Sequence, residues 1–191
     1  IGAQTGHERE STAATEKILS LDPTNGPALL VTGVRQLNKR LFTLRQDYRI
    51  VWVLGSAGSG KTTAVVDAVT ALDSNTAWLT LDSTETAPGR LLVHIEDALT
   101  HIAPSMMRAA TAALAAKVPH AEAAADLADA LAGTPLTLVL DEVEHVADAP
   151  AALDALSTFL RCLPDTVKVV LISRRTVTLR LGSAVGVGGI G

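Results

Sequence analysis

The sequence predicts an α/β fold in which helices flank a parallel β-sheet. Three observations predict it: short apolar runs alternate with longer amphipathic segments, the runs are rich in leucine and β-branched residues, and turn-forming residues separate the two. Strands that alternate with helices form parallel sheets with right-handed crossovers. The length of 191 residues suits one such domain with a short appendage. Because 48% of the residues are hydrophobic and only 3% aromatic, alanine, valine and leucine must fill the core.

The composition excludes several classes of protein. The formal net charge is −4, so bulk electrostatics do not favour nucleic-acid binding, although a local basic patch stays open. Cys162 is the one cysteine, so no internal disulfide can form, which fits a reducing compartment. No stretch is long and apolar enough to span a membrane, and we expect no signal peptide at the start. We therefore expect a cytoplasmic protein without a membrane partner, and we interpret the chain as a fragment of something longer.

Residues 1–44 are predicted to form a helical lead-in to a nucleotide-binding domain at 45–191. Helical spacing covers 11–21 and 28–44, and a turn rich in proline and asparagine separates them. The stretch 14–25 resembles the junction between two tetratricopeptide repeats, but a single partial copy cannot bury its own face. Two interpretations therefore remain: a lead-in packed beside the domain, or the end of a repeat region.

The first predicted strand, 50–54, leads directly into a phosphate-binding loop. The residues from Gly55 to Thr62 match the pattern G-x-x-x-x-G-K-[ST]. Glycines let backbone N–H groups line a concavity, Lys61 offers a charge to the β- and γ-phosphates, and the Thr62 hydroxyl can ligate Mg²⁺. A glycine-rich surface turn is the alternative, but a strand before and a helix after favour the phosphate loop. The residues expected to bind ATP are Gly55, Ser56, Ala57, Gly58, Ser59, Gly60, Lys61, Thr62 and Thr63.

Helices and a second strand are predicted between the loop and the next motif. A helix at 63–72 precedes a strand at 77–81, whose polar continuation at 82–86 lies near a nucleotide or forms an ordinary turn. Amphipathic spacing then predicts helices at 91–102, 104–117 and 120–132. The helix at 120–132 carries Glu122, Asp126 and Asp129 along one face, which is most simply explained as a face exposed to solvent. The helix at 91–102 carries His94 and His101, which lack convincing metal-ligand companions.

The third strand, 136–140, ends in Asp141-Glu142, which is the second half of a phosphate-loop site. The hydrophobic strand sets the depth at which Asp141 reaches the Mg²⁺ shell, and Glu142 is placed to orient or deprotonate the attacking water. An acidic pair after a strand can also cap the next helix. The position downstream of a phosphate loop favours the catalytic interpretation.

A helix at 149–163 and a fourth strand at 167–172 follow, and Ser173-Arg174 comes directly after this strand. Arg174 is expected to sense the γ-phosphate or to pair with a surface acid; it is preferred over Arg175 because it leaves the strand first. Residues 176–181 are a candidate fifth strand. The glycine-rich end beyond them has few side chains to bury and is not expected to pack well.

Several of these elements resemble one family in order and spacing. They are Trp78-Leu79-Thr80-Leu81-Asp82, Leu138-Val139-Leu140-Asp141-Glu142 and Val170-Leu171-Ile172-Ser173-Arg174. They are similar to the signal-transduction ATPases with numerous domains (STAND), particularly those of maltose-regulator-like and large LuxR-type bacterial regulators. The resemblance covers about 31–179. It implies an ASCE-type P-loop NTPase sheet in which 167–172 lies between the two nucleotide-binding strands. It also implies a lid, a helical sensor and a DNA-binding module, none of which is in this chain.

We therefore expect an ATP-binding, slowly hydrolysing switch domain of a transcriptional regulator. Its partners would be ATP or ADP, Mg²⁺, other copies in a nucleotide-dependent assembly, and DNA only through a domain outside this chain. One rival is an AAA+-type motor acting on DNA or protein; another is a degenerate fragment that binds nothing. A small-molecule kinase is disfavoured, because a strand ending in Asp-Glu suits water activation better.

Overall fold

Five parallel strands form one sheet in the computed structural model, which describes residues 40, 43, 47–71, 75–104, 108–181 and 187–190. The strands are β1 Ile50–Leu54, β2 Thr76–Thr80, β3 Leu136–Asp141, β4 Val167–Ser173 and β5 Val187–Ile190. Their order across the sheet is β2-β3-β4-β1-β5. The predicted α/β fold is confirmed, and so is the position of β4 between the strands that carry the phosphate loop and the acidic pair.

The register brings the ends of three strands to one edge of the sheet. Leu54 of β1 pairs with Ser173 of β4, and Leu140 of β3 pairs with Leu171. The N–H of Gly55 donates to the carbonyl of Ser173 at 3.3 Å, which continues the ladder by one residue. The segments that follow β1, β3 and β4 therefore start side by side, as expected for ligand sites in parallel sheets.

Both faces of the sheet are covered by helices. The helices are α1 Lys61–Ala71, α2 Pro88–Thr100, α3 Ala109–Ala115, α4 His120–Asp129 and α5 Pro150–Cys162, and two short 3-10 helices span Ser83–Thr86 and Val143–Val146. Successive strand residues point to opposite faces. Val51, Val139 and Val170 therefore pack with α1, whereas Ile50, Leu138 and Leu171 belong to the larger core that α2 to α5 cover. No helix in the described ranges is long and apolar enough to cross a membrane.

The polar residues after β2 begin the next helical segment. Asp82 accepts from the N–H of Thr84 at 2.6 Å, and Glu85 accepts from the N–H of Asp82 at 2.6 Å, which forms a capping box. Glu85 also contacts Nδ1 of His94 on α2. These contacts make 82–86 an ordinary strand-to-helix turn, the second of its two predicted interpretations.

Helix boundaries differ modestly from the predicted ones. The helix predicted at 104–117 is shorter than expected: α3 begins at Ala109, directly after Arg108 with its left-handed φ of 69°. α4 ends at Asp129 rather than near 132, and its three acidic residues are exposed, as a solvated face requires. The predicted helices at 11–21 and 28–44 lie almost wholly outside the described residues.

The prediction of a fifth strand at 176–181 is wrong. Val177 and Leu181 are buried in the core under α2 to α5, and the residues between them are exposed or partly exposed. The backbone, however, has a helix as its neighbour: the N–H of Arg180 donates to Oγ of Ser157 on α5 at 3.1 Å. An extended segment shows alternating buried and exposed side chains whenever one of its sides packs on an apolar surface. For 176–181 that surface is α5 rather than a neighbouring strand.

The fifth strand lies instead in the glycine-rich segment, where we expected poor packing. β5 pairs in parallel with β1, and Gly188 and Gly189 are opposite Val51 and Trp52. A strand ladder joins backbone N–H and carbonyl groups, so it forms without large side chains. The edge of the sheet beside β1 is therefore closed by backbone pairing.

Candidate functional site

The loop between β1 and α1 has the shape of an anion cradle. Gly58 has a φ of 75°, a left-handed conformation that other residues rarely adopt. At Gly55, a Cβ atom would lie 2.9 Å from Oγ of Ser59 and 3.3 Å from Cδ of Lys61. The loop is therefore closed to side chains on its inner side. The first N–H groups of a helix have no partners within it, so the start of α1 can offer donors beside the loop.

Lys61, the first residue of α1, folds back over this loop. Its Nζ donates to the carbonyls of Gly55 at 2.6 Å and Ser56 at 2.8 Å, and lies 3.5 Å from Oγ of Ser59. The residue is only 9% exposed. A buried ammonium held by neutral carbonyls gains strongly when an anion takes their place, because its charge is then balanced.

Thr62 and Asp141 bring a hydroxyl and a carboxylate together across the site. Thr62 donates from Oγ1 to Oδ2 of Asp141 at 3.1 Å, and the N–H of Glu142 donates to Oδ1 at 2.8 Å. Asp141 is 7% exposed. Burial raises the pKa of the Asp141 carboxyl above its ordinary value, although both hydrogen bonds act to lower it. Ionised Asp141 is thus undercompensated, which suits it to a cation.

Glu142 is held through its backbone and through both carboxylate oxygens. Its backbone is left-handed, with φ 56° and ψ 39°, which is uncommon for a residue other than glycine. Oε1 accepts from Nη2 of Arg174 at 2.6 Å, and Oε2 lies 3.1 Å from Nε2 of His145. The Arg174 hydrogen bond is the main reason that the pKa of Glu142 is lowered.

Arg174 is the first residue after β4 and contacts a second acid, Glu144. Its backbone N–H donates to Oε2 of Glu144 at 3.2 Å, and its Nε lies 3.3 Å from Oε1. Arg175 instead pairs with the exposed Asp148 at 2.7 Å. Of the two arginines, Arg174 lines the cavity and pairs with acids there, whereas Arg175 does not line it. The role of Arg174 as a γ-phosphate sensor stays a prediction.

A cavity of about 130 Å³ joins these groups at the carboxyl edge of the sheet. Seven predicted site residues line it, together with three that the sequence analysis did not assign to the site as ligands or catalysts. The seven are Ala57, Gly58, Lys61, Thr62, Asp141, Glu142 and Arg174; the three are Glu144, Ile172 and Ser173. Gly55, Ser56, Ser59, Gly60 and Thr63 do not line this cavity; of these, the first three contact the Lys61 side chain.

Sequence reasoning missed Glu144 and His145, although a signal was present. Asp141-Glu142-Val143-Glu144-His145 places three acids and a histidine within five residues directly after a buried strand. Polar groups so close to the end of a parallel strand face the ligand edge of the sheet. The sequence analysis gave Ser173 no role beyond preceding Arg174. Its Oγ accepts from Nε1 of Trp52 at 2.8 Å and donates to the carbonyl of Arg175 at 2.9 Å.

The donor set suits Mg²⁺ held together with phosphate. Over the described ranges, no group of three or more histidine, cysteine, aspartate or glutamate residues could hold a metal ion alone. Mg²⁺ typically takes one or two protein ligands, and phosphate oxygens and water complete its octahedron. The Thr62 hydroxyl beside the Asp141 carboxylate fits that requirement.

Comparison with known proteins identifies one family for this chain. A family model described as an AAA domain matches residues 44–180. No curated protein matches the chain significantly. Similar solved structures include the Walker-type ATPase of Pyrococcus abyssi, with a TM-score of 0.47, 12% identity, and coverage of 72% of this chain and 44% of that one.

Two further structures are similar at the same level. For PCH-2 of C. elegans the TM-score is 0.49 and the identity 16%, over 83% of this chain and 42% of that one. For Drosophila ORC bound to AT-rich DNA and Cdc6 the TM-score is 0.48 and the identity 14%, over 92% and 54%. The chain thus spans only about half of the length of these structures.

Proposed function

This chain belongs to the AAA domain family, and from that premise we propose that it binds ATP with Mg²⁺ and hydrolyses it slowly. In this proposal the domain acts as the switch of a larger, signal-responsive regulator of transcription. The observation that carries it is one cavity lined by a lysine, a threonine, two acids and an arginine from three different segments. These residues are Lys61, Thr62, Asp141, Glu142 and Arg174.

Lys61 and the loop would bind the phosphates. The Nζ of Lys61 can exchange its carbonyl acceptors for β- and γ-phosphate oxygens, which are stronger, charged acceptors. The backbone N–H groups of the loop and the first turn of α1 add donors and the positive end of the helix dipole. Ser56, Ala57, Gly58, Ser59, Gly60 and Thr63 contribute through this backbone.

Thr62 and Asp141 would hold the metal. Mg²⁺ held there would supply positive charge that stabilises the negative charge developing on the phosphates. Thr62 supplies a hydroxyl oxygen, and the buried Asp141 supplies a carboxylate whose charge is otherwise poorly compensated. Both residues sit on regular elements, α1 and β3, so their spacing is rigid.

Glu142 would orient the attacking water and accept its proton at a carboxylate oxygen. In the structure both of its oxygens are engaged, by Arg174 and His145, and its pKa is lowered. A base in this condition is a weak one. Movement of the Arg174 guanidinium to the γ-phosphate would free Oε1 of Glu142, so hydrolysis would wait for a fully bound triphosphate. This coupling supports slow, switch-like turnover.

The resemblance of Trp78-Leu79-Thr80-Leu81-Asp82 and Ile172-Ser173-Arg174 to STAND ATPases supports the regulator assignment. The AAA domain match favours a second candidate, a motor acting on DNA or protein. The two differ in how turnover responds to a partner. A switch of this kind should hydrolyse ATP at the same rate with and without added duplex DNA or unfolded polypeptide, and it should self-associate with ATP. Turnover that rises severalfold with either polymer would favour the motor.

The test of nucleotide binding is the melting temperature with Mg-ATP. At a hundredfold excess over Kd, a ligand of the folded state adds about 2.7 kcal/mol of stability, or a rise of about 5–11 °C for a chain of this size. Lys61→Ala should lose most of this rise. Arg90→Ala, which removes an exposed charge on α2, should keep it. A folded parent protein that shows no rise at millimolar Mg-ATP would rule out nucleotide binding.

A further inference from the structure

We propose that Glu144 is a positioning residue that holds Arg174 as a pivot between Glu142 and the γ-phosphate. The inference rests on the proposed ATPase function and deepens it. Glu144 lines the cavity but belongs neither to the phosphate loop nor to the Asp141-Glu142 pair, so the proposed ATPase function gives it no role by itself.

The contacts of Arg174 form two sets, one near its backbone and one at the tip of its side chain. Glu144 contacts the base of the side chain: Oε2 accepts from the backbone N–H at 3.2 Å, and Oε1 lies 3.3 Å from Nε. Glu142 contacts the tip, where Nη2 donates to Oε1 at 2.6 Å. Because different nitrogens make the two sets of contacts, the tip can leave Glu142 while the base stays on Glu144.

Burial distinguishes the Glu144 contact from an ordinary surface ion pair. The Glu144 side chain is 12% exposed, whereas that of Asp148, the partner of the neighbouring Arg175, is 87% exposed. Exposed pairs contribute little, and poorly screened ones contribute more. Arg175 and Asp148 are therefore a matched comparison on the same two segments, without a place in the cavity wall.

One carboxylate oxygen of Glu144 can still accept a hydrogen bond. Its Oε1 is buried and, within the described part of the chain, receives no hydrogen bond; its contact with Nε is a charge pair only. A small rotation of the guanidinium away from Glu142 can turn this contact into a hydrogen bond. The loss of the Glu142 contact would then be partly offset, which keeps Arg174 near the cavity during the exchange.

The experiment compares Glu144→Ala, Arg174→Ala and the double variant, with Mg-ATP and Mg-ADP binding measured by calorimetry. Both single variants should keep the parental ADP affinity. Each should lower the preference for ATP over ADP by about ten- to a hundredfold, the size of one charge-assisted hydrogen bond. If Glu144 acts through Arg174, the double variant should be no worse than Arg174→Ala alone.

Two controls separate this role from a general effect on the fold. Asp148→Ala removes the matched carboxylate and should leave the ATP preference unchanged. Glu144→Gln keeps an acceptor for the Arg174 N–H without the charge, so it should restore part of the preference, and it carries the test if Glu144→Ala does not fold. The inference would be overturned if both Glu144 variants kept the parental preference for ATP over ADP, or if the double variant lost the sum of the two single losses. Either result would leave the proposed ATPase function standing. A parent that does not prefer ATP, or an Arg174→Ala variant that matches it, would overturn the proposed role of Arg174 as well.

Discussion

Glu142 carries the strain in the site. A residue with a side chain in the left-handed region costs on the order of 1 kcal/mol, and such positions cluster where the chain must turn a side chain toward a ligand. The cost is offset by the N–H bond to Asp141 and by the contacts with Arg174 and His145. The carboxylate of Glu142 lines the cavity and also contacts His145 on the following 3-10 helix.

Glu142→Gln should therefore separate binding from chemistry. Glutamine keeps the size and hydrogen-bonding capacity of the side chain but cannot accept the proton of water. ATP affinity should change little, and single-turnover hydrolysis should fall by about a hundredfold or more, the usual contribution of a general base. Glu122→Gln, on the exposed face of α4, should hydrolyse ATP like the parent. Parental rates in Glu142→Gln would exclude Glu142 as the base.

The short helix α3 shows how a neighbouring element can stabilise a segment that is too short to form alone. α3 has seven residues, fewer than an isolated helix needs in water. Glu96 of α2 accepts from the N–H groups of Ala110 at 2.8 Å and Thr111 at 3.1 Å, and it also contacts the Thr111 hydroxyl. The cap of α3 thus comes from another helix, because Arg108 offers no side-chain cap.

Glu96→Ala should destabilise the domain without touching the nucleotide site. The side chain is 2% exposed, so its removal leaves buried donors without their charged acceptor. The expected loss is about 2–3 kcal/mol, a fall in Tm of about 4–12 °C. Glu96→Gln should lose less, and Asp97→Ala, on the exposed side of the same helix, should stay within about 0.5 kcal/mol. A Tm for Glu96→Ala equal to that of Asp97→Ala would contradict the capping role.

The parallel sheet concentrates charge at one end of the molecule. β1, β3 and β4 end side by side, so the cavity brings Asp141, Glu142 and Glu144 together with Lys61 and Arg174. The same geometry buries the Asp141 carboxyl, and this burial raises its pKa. We therefore expect a neutral group at this position to make the free domain more stable.

Asp141→Asn should make the nucleotide-free protein more stable and deprive it of metal-dependent binding. The pKa of Asp141 is raised above 3.8 in the folded state, so this group makes stability fall as the pH rises from 3.8 through the folded value. At neutral pH the variant should melt about 2–4 °C higher, for a gain on the order of 1 kcal/mol. This difference should vanish below pH 3.8.

Melting curves from acid to neutral pH, with and without Mg-ATP, measure both effects. Mg-ATP should raise the Tm of the parent and raise that of Asp141→Asn much less. Asp148→Asn, a change at an exposed carboxylate, serves as the control and should keep the full rise. A variant that melts below the parent at neutral pH would show that ionised Asp141 is net stabilising.

Local features of the chain could be predicted from the sequence because each depends on a few neighbouring residues. The phosphate loop needs a strand, glycines at set positions and a helix, all within 50–71, and the structure places Lys61 and Thr62 accordingly. The alternation of strands and helices predicts a parallel sheet, and a buried strand ending in Asp141-Glu142 predicts acids at its ligand edge. Propensity and periodicity are properties of short segments, so features that depend on them alone can be predicted without knowing which segments pack together.

Contacts across the sheet could not be read in this way. The pairing of Arg174 with Glu142 joins residues 32 apart in sequence and depends on β4 lying beside β3. Whether the alternating segment 176–181 finds a strand or a helix as its neighbour depends on where the chain goes after β4, and it lies on α5. The glycine-rich β5 forms because an open backbone edge of β1 was available to it. The side chains of a segment determine what kind of surface it can pack against. The path of the whole chain determines which element it actually meets. In this protein that path also determines which carboxylates contact Arg174.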